Sequence, residues 1–218
     1  MKINLLTIFP NYFQSVLQTS ILERAVKKEL VEYKVVNLRD FAQDKHQTTD
    51  ERPFGGGPGM VMKIEPIDLA LKSLGQKKGS LGKKIILTSA KGQLLKQKIA
   101  QEYAQLDELT IICGHYEGVD ERVAQHLVDS ELRIGDYVLT GGEVAAAVVS
   151  DAVVRLIPGV LGNDLSNQDE SHSEAGLAGV AQYTKPVQYG DWMVPEILRS
   201  GDHQKIADYR NQDRQLKD

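Results

Sequence analysis

The sequence predicts an α/β protein built on a parallel sheet. The chain opens strand–helix–strand, with an apolar run at 3–9, helical periodicity over 11–30 and a second strand at Tyr33–Leu38. Two later runs, KIILT at 84–88 and LTIIC at 109–113, lack the alternation of a half-exposed strand. They read as further strands. Strand exits also fall on glycine-bearing turns, after Leu87, after Cys113 and after Ile134. Open α/β sheets bind ligands at the carboxyl ends of their strands, so these turns should converge on one pocket.

Taken in order, INLLTIF at 3–9 is a buried strand stopped by Pro10. Residues 11–30 put Phe13, Val16, Leu17, Ile21, Ala25 and Val26 on one helical face, with Asn11 as a candidate cap. Residues 40–62 break the pattern, being polar and then rich in glycine and proline. A loop of that length inside a compact domain is usually functional or disordered. Its GGGPGM resembles a phosphate cradle but lacks the Gly-Lys-Ser/Thr ending, which excludes a nucleotide P-loop. Glu65–Leu74 fits a short helix, Lys84–Thr88 a strand, Gln93–Tyr103 a helix and Leu109–Cys113 a strand. Gly118–Val128 reads as a short helix, Glu131–Ile134 as a strand, and Gly142–Leu156 as a long apolar helix ended by Pro158. Small residues in the middle of that last helix permit close packing, which suits a dimer interface. Residues 163–183 are polar and read as an interdomain linker, and 184–218 hold Pro186, Trp192 and Pro195, then a charged stretch from Arg199.

Bulk properties bound the function. A chain of 218 residues holds one large domain, or a medium one plus a small one. Apolar content of 41% and charged content of 26% are those of a soluble globular protein. The net charge of −4 argues mildly against nucleic acid, because phosphate contacts need clustered cations. Local basic patches remain open to Lys27, Lys28, Arg39, Lys45 and Arg52 early, and to Arg155, Lys185, Arg199, Arg210 and Arg214 late. Lone Cys113 ends an apolar run and reads as a buried structural thiol, in keeping with a reducing compartment. The start, MKINLLTIFP, is too short to span a membrane and has no small-residue cleavage pattern. The expectation is a cytoplasmic protein without a membrane partner. Five histidines and one cysteine show no zinc-type spacing.

Gly114–Glu143 organises the chain. GHYEGVDERV, a helix-like span and RIGDYVLTGGE place two glycine turns around His115, Tyr116, Glu117, Asp120, Arg122, Asp136 and Tyr137. Glycine turns let backbone approach a ligand closely, and backbone walls supply fixed donors and acceptors. CGHYEGVDERV followed by IGDYVLTGGE resembles the cofactor-binding core of the bacterial tRNA (guanine-37-N1)-methyltransferases, members of the SPOUT superfamily. RPFGGGPGMVM at 52–62 and RLIPGVLG at 155–162 match the same family, in register from about residue 1 to residue 210.

The resemblance implies a parallel-sheet SPOUT methyltransferase domain with a C-terminal trefoil knot over 1–162. A linker at 163–183 and a small helical tRNA-binding domain at 184–218, shorter than in relatives, follow. It implies methylation of N1 of guanine 37 in tRNA by a homodimer. Carried over residue by residue, the methyl donor S-adenosylmethionine falls to Thr88, Ser89, Ala90, Gly114, Tyr116, Glu117, Gly118, Ile134, Gly135, Tyr137, Leu139, Gly141 and Gly142. Ala90 and Ala145 stand where relatives often have proline. Arg155 matches an arginine that binds the target nucleotide or stabilises charge on the guanine. His46, Asp50 and Gly59 match positions in the loop expected beside the guanine.

The family's catalytic carboxylate lies in a pattern like S-x-x-x-D-S. Here the match is Ser166-Asn167-Gln168-Asp169-Glu170-Ser171, which puts Glu170 at the aspartate position and Asp169 one place before. Both remain candidates for the base. The resemblance also points to Mg2+, for which Glu117 and Asp120 form an acid pair of suitable type, although the sequence establishes no metal site. The alternative to an enzyme is a non-catalytic SPOUT-type relative that binds RNA or cofactor.

Overall fold

A computed structural model of the chain describes residues 1–162, 170–172, 178–212 and 214. The chain divides into two compact units, Met1–Gly162 and Asn163–Asp218.

The first unit is an α/β layer structure around a five-stranded parallel sheet. Its strands are β1 (Lys2–Thr7), β2 (Glu32–Asn37), β5 (Lys83–Leu94), β6 (Glu108–Cys113) and β7 (Ser130–Arg133), in the order β2-β1-β6-β5-β7. A two-stranded ribbon, β3 (Asp50–Glu51) with β4 (Val61–Met62), stands apart from it. Side chains alternate between two buried faces, which is why the strand sequences read as continuous apolar runs. Ile3, Leu5, Leu109, Ile111 and Cys113 pack under α1 (Phe13–Leu17), α2 (Ser20–Lys27), α4 (Gln97–Tyr103) and α5 (Glu143–Val154). Leu6, Ile85, Leu87 and Ile112 pack on the other face, under α3 (Ile64–Ser73), a 3-10 turn at Leu38–Phe41 and a π turn at Val123–Leu127. Each such side chain, fully buried, is worth about 1.5–3 kcal/mol, so the two clusters fix the sheet as a central slab.

Several expectations change. The helix expected over 11–30 is broken. Pro10–Tyr12 form a 3-10 turn, and Thr19 is extended with Ser20 at φ 55°, which separates α1 from α2. The Thr19 hydroxyl donates to the Ser15 carbonyl at 2.6 Å, so a local side-chain bond competes with the helix ladder. Asn11 therefore lies within the 3-10 turn rather than capping a long helix. The short helix expected over Gly118–Val128 is confined to 121–127, its last five residues forming the π turn, because Val119 and Asp120 are engaged by Met62 in bridge pairing. The loop at 40–62 is organised by its 3-10 turn and the β3–β4 ribbon.

In the second unit, β8 (Gln188–Tyr189) and β9 (Trp192–Met193) form an antiparallel hairpin. A 3-10 turn at Glu196–Arg199 and α6 (His203–Gln212) follow. The hairpin is an addition to the helical domain expected from the sequence. Among the described residues no helix is long and apolar enough to cross a membrane.

Candidate active site

Three strand exits are stitched together by their backbones. β5 stops pairing with β6 at Thr88, and residues 89–92 bulge out before Gln93 and Leu94 rejoin β7. The strand thus runs past its expected end at Thr88, and α4 starts later than the sequence suggests. Gly92 makes the bulge possible, since a Cβ there would lie 2.5 Å from the Glu131 carbonyl carbon and 2.8 Å from its oxygen.

The second exit follows β6. The Gly114 N–H donates to the Thr88 hydroxyl at 3.1 Å, and that hydroxyl donates to the Ile112 carbonyl at 3.1 Å. Tyr116 takes φ 60° and Gly118 φ 141°, so the chain turns sharply under the cleft. β4 and the residue before it brace this turn. The Glu117 N–H donates to Met60 at 3.0 Å, and the Met62 N–H donates to Gly118 at 2.9 Å.

The third exit runs from Ile134 to Gly142 and returns against the second. The Gly142 N–H donates to the Gly114 carbonyl at 2.7 Å, and His115 and Gly141 form an antiparallel bridge. A Cβ on Gly142 would overlap the Thr88 hydroxyl and lie 2.8 Å from the Gly114 nitrogen. All three exits meet at that point.

They enclose a cleft of about 440 Å³. Thr88, Ser89, Ala90, Gly114, Tyr116, Glu117, Gly118, Ile134, Gly135, Tyr137, Leu139, Gly141 and Gly142 all line it, so the residues singled out from the sequence are one surface. The floor adds Leu87, Val119, Ala124 and Leu132. Sequence reasoning missed Lys91, Glu121 and Glu131 in the wall. Their meeting depends on the β5 bulge, for which lone Gly92 was the only signal. Val138 and Thr140, also missed, stand inside the same motif.

The electrostatics are acidic and specific. Lys91 bonds Glu121 at 2.5 Å and stands 3.9 Å from Glu131. The Glu121 carboxylate holds the Lys91 ammonium above its ordinary value. Arg122 holds the Asp120 carboxyl below the usual range through bonds of 2.9 and 2.6 Å. The Cys113 thiol, fully buried, is pushed well up by desolvation and by the nearby Glu143 charge, which suits a structural rather than a nucleophilic thiol. Two buried polar atoms on the cleft, His115 Nδ1 and Glu131 Oε1, have no hydrogen-bond partner among the described residues.

The size falls within the ~300–1,000 Å³ of small-molecule sites, and the lining combines apolar floor, backbone wall and orphaned polar atoms. That composition fits an adenosine-bearing methyl donor. It does not fit Mg2+ at Glu117 and Asp120, because Asp120 is occupied by Arg122. Among the described residues no group of three or more His, Cys, Asp or Glu could hold a metal.

The other candidates lie elsewhere. Gly59 abuts Glu117, whose Oε1 would lie 2.6 Å from a Cβ at that position. His46, exposed in the turn that Asp44 ties to Thr48, and Asp50 at the start of β3 are outside the cleft lining. Arg155 caps the C-terminal end of α5, its N–H donating to Asp151 at 3.2 Å, and is likewise outside the lining. Glu170 belongs to the second unit, and Asp169 lies outside the described residues.

Comparison with known proteins gives the family. The family model described as "tRNA (Guanine-1)-methyltransferase TrmD" matches residues 1–218. A protein of Brevibacillus brevis is 50% identical over 211 residues, covering 96% of this chain and 85% of its own length. One of Staphylococcus carnosus is 48% identical over 217 residues (100% and 87%), and one of Fusobacterium nucleatum 48% over 210 (96% and 84%). Each of the three is named tRNA (guanine-N(1)-)-methyltransferase. With a full-length family match and near-half identity to these relatives, the chain belongs to the tRNA (guanine-1)-methyltransferase family.

Proposed function

We propose that this protein transfers the methyl group of S-adenosylmethionine to N1 of guanine 37 in tRNA. The observation that carries the reading is the convergence of the three strand exits on one backbone-walled cleft, in a chain of this family. The donor supplies a methyl group already activated by its sulfonium. The chain must then hold the donor, remove the guanine N1 proton and stabilise the negative charge that moves toward O6.

The residues at 88–90, 114–118 and 134–142 hold the donor, chiefly through main-chain groups. Glu170 or Asp169 takes the N1 proton, and the Arg155 guanidinium faces the charge at O6. His46, Asp50 and Gly59 contact the RNA. No step is derived through Mg2+. The path of the chain, with β7 outside β5 and 135–142 returning against Gly114, supports the trefoil knot.

A homodimer completes the site with the partner's linker and small domain. Exposed Val144 and Val148, one helical turn apart on α5, support an interface there. The protein is placed in the cytoplasm, with its tRNA. A non-catalytic relative is disfavoured, since the similar proteins are named as methyltransferases.

The test is transfer of labelled methyl to a tRNA transcript with guanine at 36 and 37, against one with adenine at 37. Label on the first alone, lost in either Glu170→Ala or Asp169→Ala, is the expected result. Methyl at another atom or position would overturn the assignment.

A further inference from the structure

The cleft rests on a buried chain of polar groups whose last link is open. Thr7, at the end of β1, accepts the Phe9 N–H at 2.8 Å, which turns its hydroxyl toward Glu143. That hydroxyl donates to Glu143 Oε1 at 2.7 Å. Glu143 is the first residue of α5 and is 4% exposed, so its carboxylate is largely withdrawn from water. Oε2 faces His115 Nδ1 at 3.8 Å, and Nδ1 is buried with no hydrogen-bond partner among the described residues. The approach depends on Gly141, where a Cβ would lie 2.5 Å from Oε2 and overlap the imidazole. Phe9 and Tyr116 hold the ring by edge contacts at 5.1 and 5.0 Å.

A largely buried carboxylate and a buried imidazole nitrogen facing each other about 0.6 Å beyond bonding range form an arrangement poised to close. We propose that His115 is a positioning residue for the methyl donor. Its Nδ1–H bonds Glu143 when the donor enters, and this draws the turn Gly114–Gly118 onto the N-terminal end of α5. The donor gains because Gly114, Tyr116, Glu117 and Gly118 line its cleft while Gly141 and Gly142 form the facing wall. Glu143 thereby couples the second strand exit to the third. The inference rests on the methyl-donor reading of the cleft.

The experiment is calorimetric titration of the whole protein with S-adenosylhomocysteine, with KM for S-adenosylmethionine and kcat measured alongside. His115→Leu and Glu143→Gln should each weaken binding about tenfold, or about 1.4 kcal/mol. KM should rise in proportion, and kcat should fall far less. His115→Asn, which keeps a donor near Nδ1, should recover most of the affinity. The double variant should bind no more weakly than either single one, because the two groups act through one bond. Should His115→Leu fail to fold, Thr7→Val carries the test by removing only the hydroxyl that orients Glu143, with a loss of about threefold. Wild-type affinity in these variants, additive losses in the double variant, or equal losses for Asn and Leu at 115 would overturn the inference. Absence of binding by the wild-type protein would instead overturn the methyl-donor reading itself.

Discussion

Close approach of main chain decides the outcome of single substitutions in this cleft. Gly142→Ala sets a methyl against the Thr88 hydroxyl, the Gly114 nitrogen at 2.8 Å and the Cys113 Cα at 3.0 Å. Two of those neighbours are backbone and cannot yield. Overpacking of this kind costs about 1–3 kcal/mol, and here it also forces apart two walls of the cleft. Thermal unfolding should show the loss, and affinity for the methyl donor should fall with it. Gly135→Ala is the control, because its nearest neighbours are ring atoms of Tyr137, an exposed side chain that can swing away. Its melting temperature should stay near that of the wild type. Charge is equally local. Burial pushes the Glu108 carboxyl up, but bonds from Lys83, Asn4 and Gln76 outweigh it and hold the group below its ordinary value. A depressed carboxyl stabilises the fold above its unfolded pKa of about 4.3, and that contribution disappears as pH falls through the folded value. Glu108→Gln should therefore cost about 1 kcal/mol at neutral pH, discounted for solvent around Lys83. The gap to wild type should narrow as pH falls below the unfolded value and close once it has passed the lower folded one, in denaturant titrations.

β5 shows how an element can be legible in type and illegible in extent. Its apolar half, Lys84–Thr88, announced a buried strand, since Ile85, Ile86 and Leu87 fill both faces. Its second half carries no such pattern, because Gln93 and Leu94 are placed by β7 after the bulge rather than by burial of their own. The glycine turns of the cleft were readable for a local reason, that Gly114 and Gly142 lie against backbone that a Cβ would strike. The ion pairing of Lys91 with Glu121 and Glu131 was not, since it joins three elements through a register shift. The break at Thr19 was unread for the opposite reason, as apolar periodicity continued straight across it. Gly92 gives the element-scale prediction. Gly92→Ala presses on the Glu131 carbonyl and the Leu132 nitrogen, which are ladder atoms of β7. The bulge should lift and β7 should loosen. Amide exchange at Leu132 and Arg133 should quicken, while exchange in β1 and β6 stays slow.

At the scale of the whole molecule, the described core and the proposed base fall in different parts of the chain. Among the described residues, both apolar clusters draw their members from the first unit, ending at Val160. Among the described residues, those lining the cleft lie between Leu87 and Ala145. The proposed base, Glu170 or Asp169, lies beyond Gly162. A fragment of residues 1–162 should therefore unfold in one cooperative transition and bind S-adenosylhomocysteine within a few-fold of the full chain, since it keeps its core and its donor cleft. It should nonetheless transfer no methyl group to tRNA at any concentration, because the proposed base, Glu170 or Asp169, is no longer in the chain. Calorimetry and labelled-methyl transfer on one preparation separate these outcomes. Binding without transfer would assign recognition of the donor to the sheet and the proton transfer to the second unit. Loss of binding would mean that residues beyond Gly162, from the same chain or a partner, complete the donor cleft itself. Retained transfer would remove both Glu170 and Asp169 from the mechanism and direct the search for a base back to the carboxylates of the cleft, Glu117, Glu121 and Glu131.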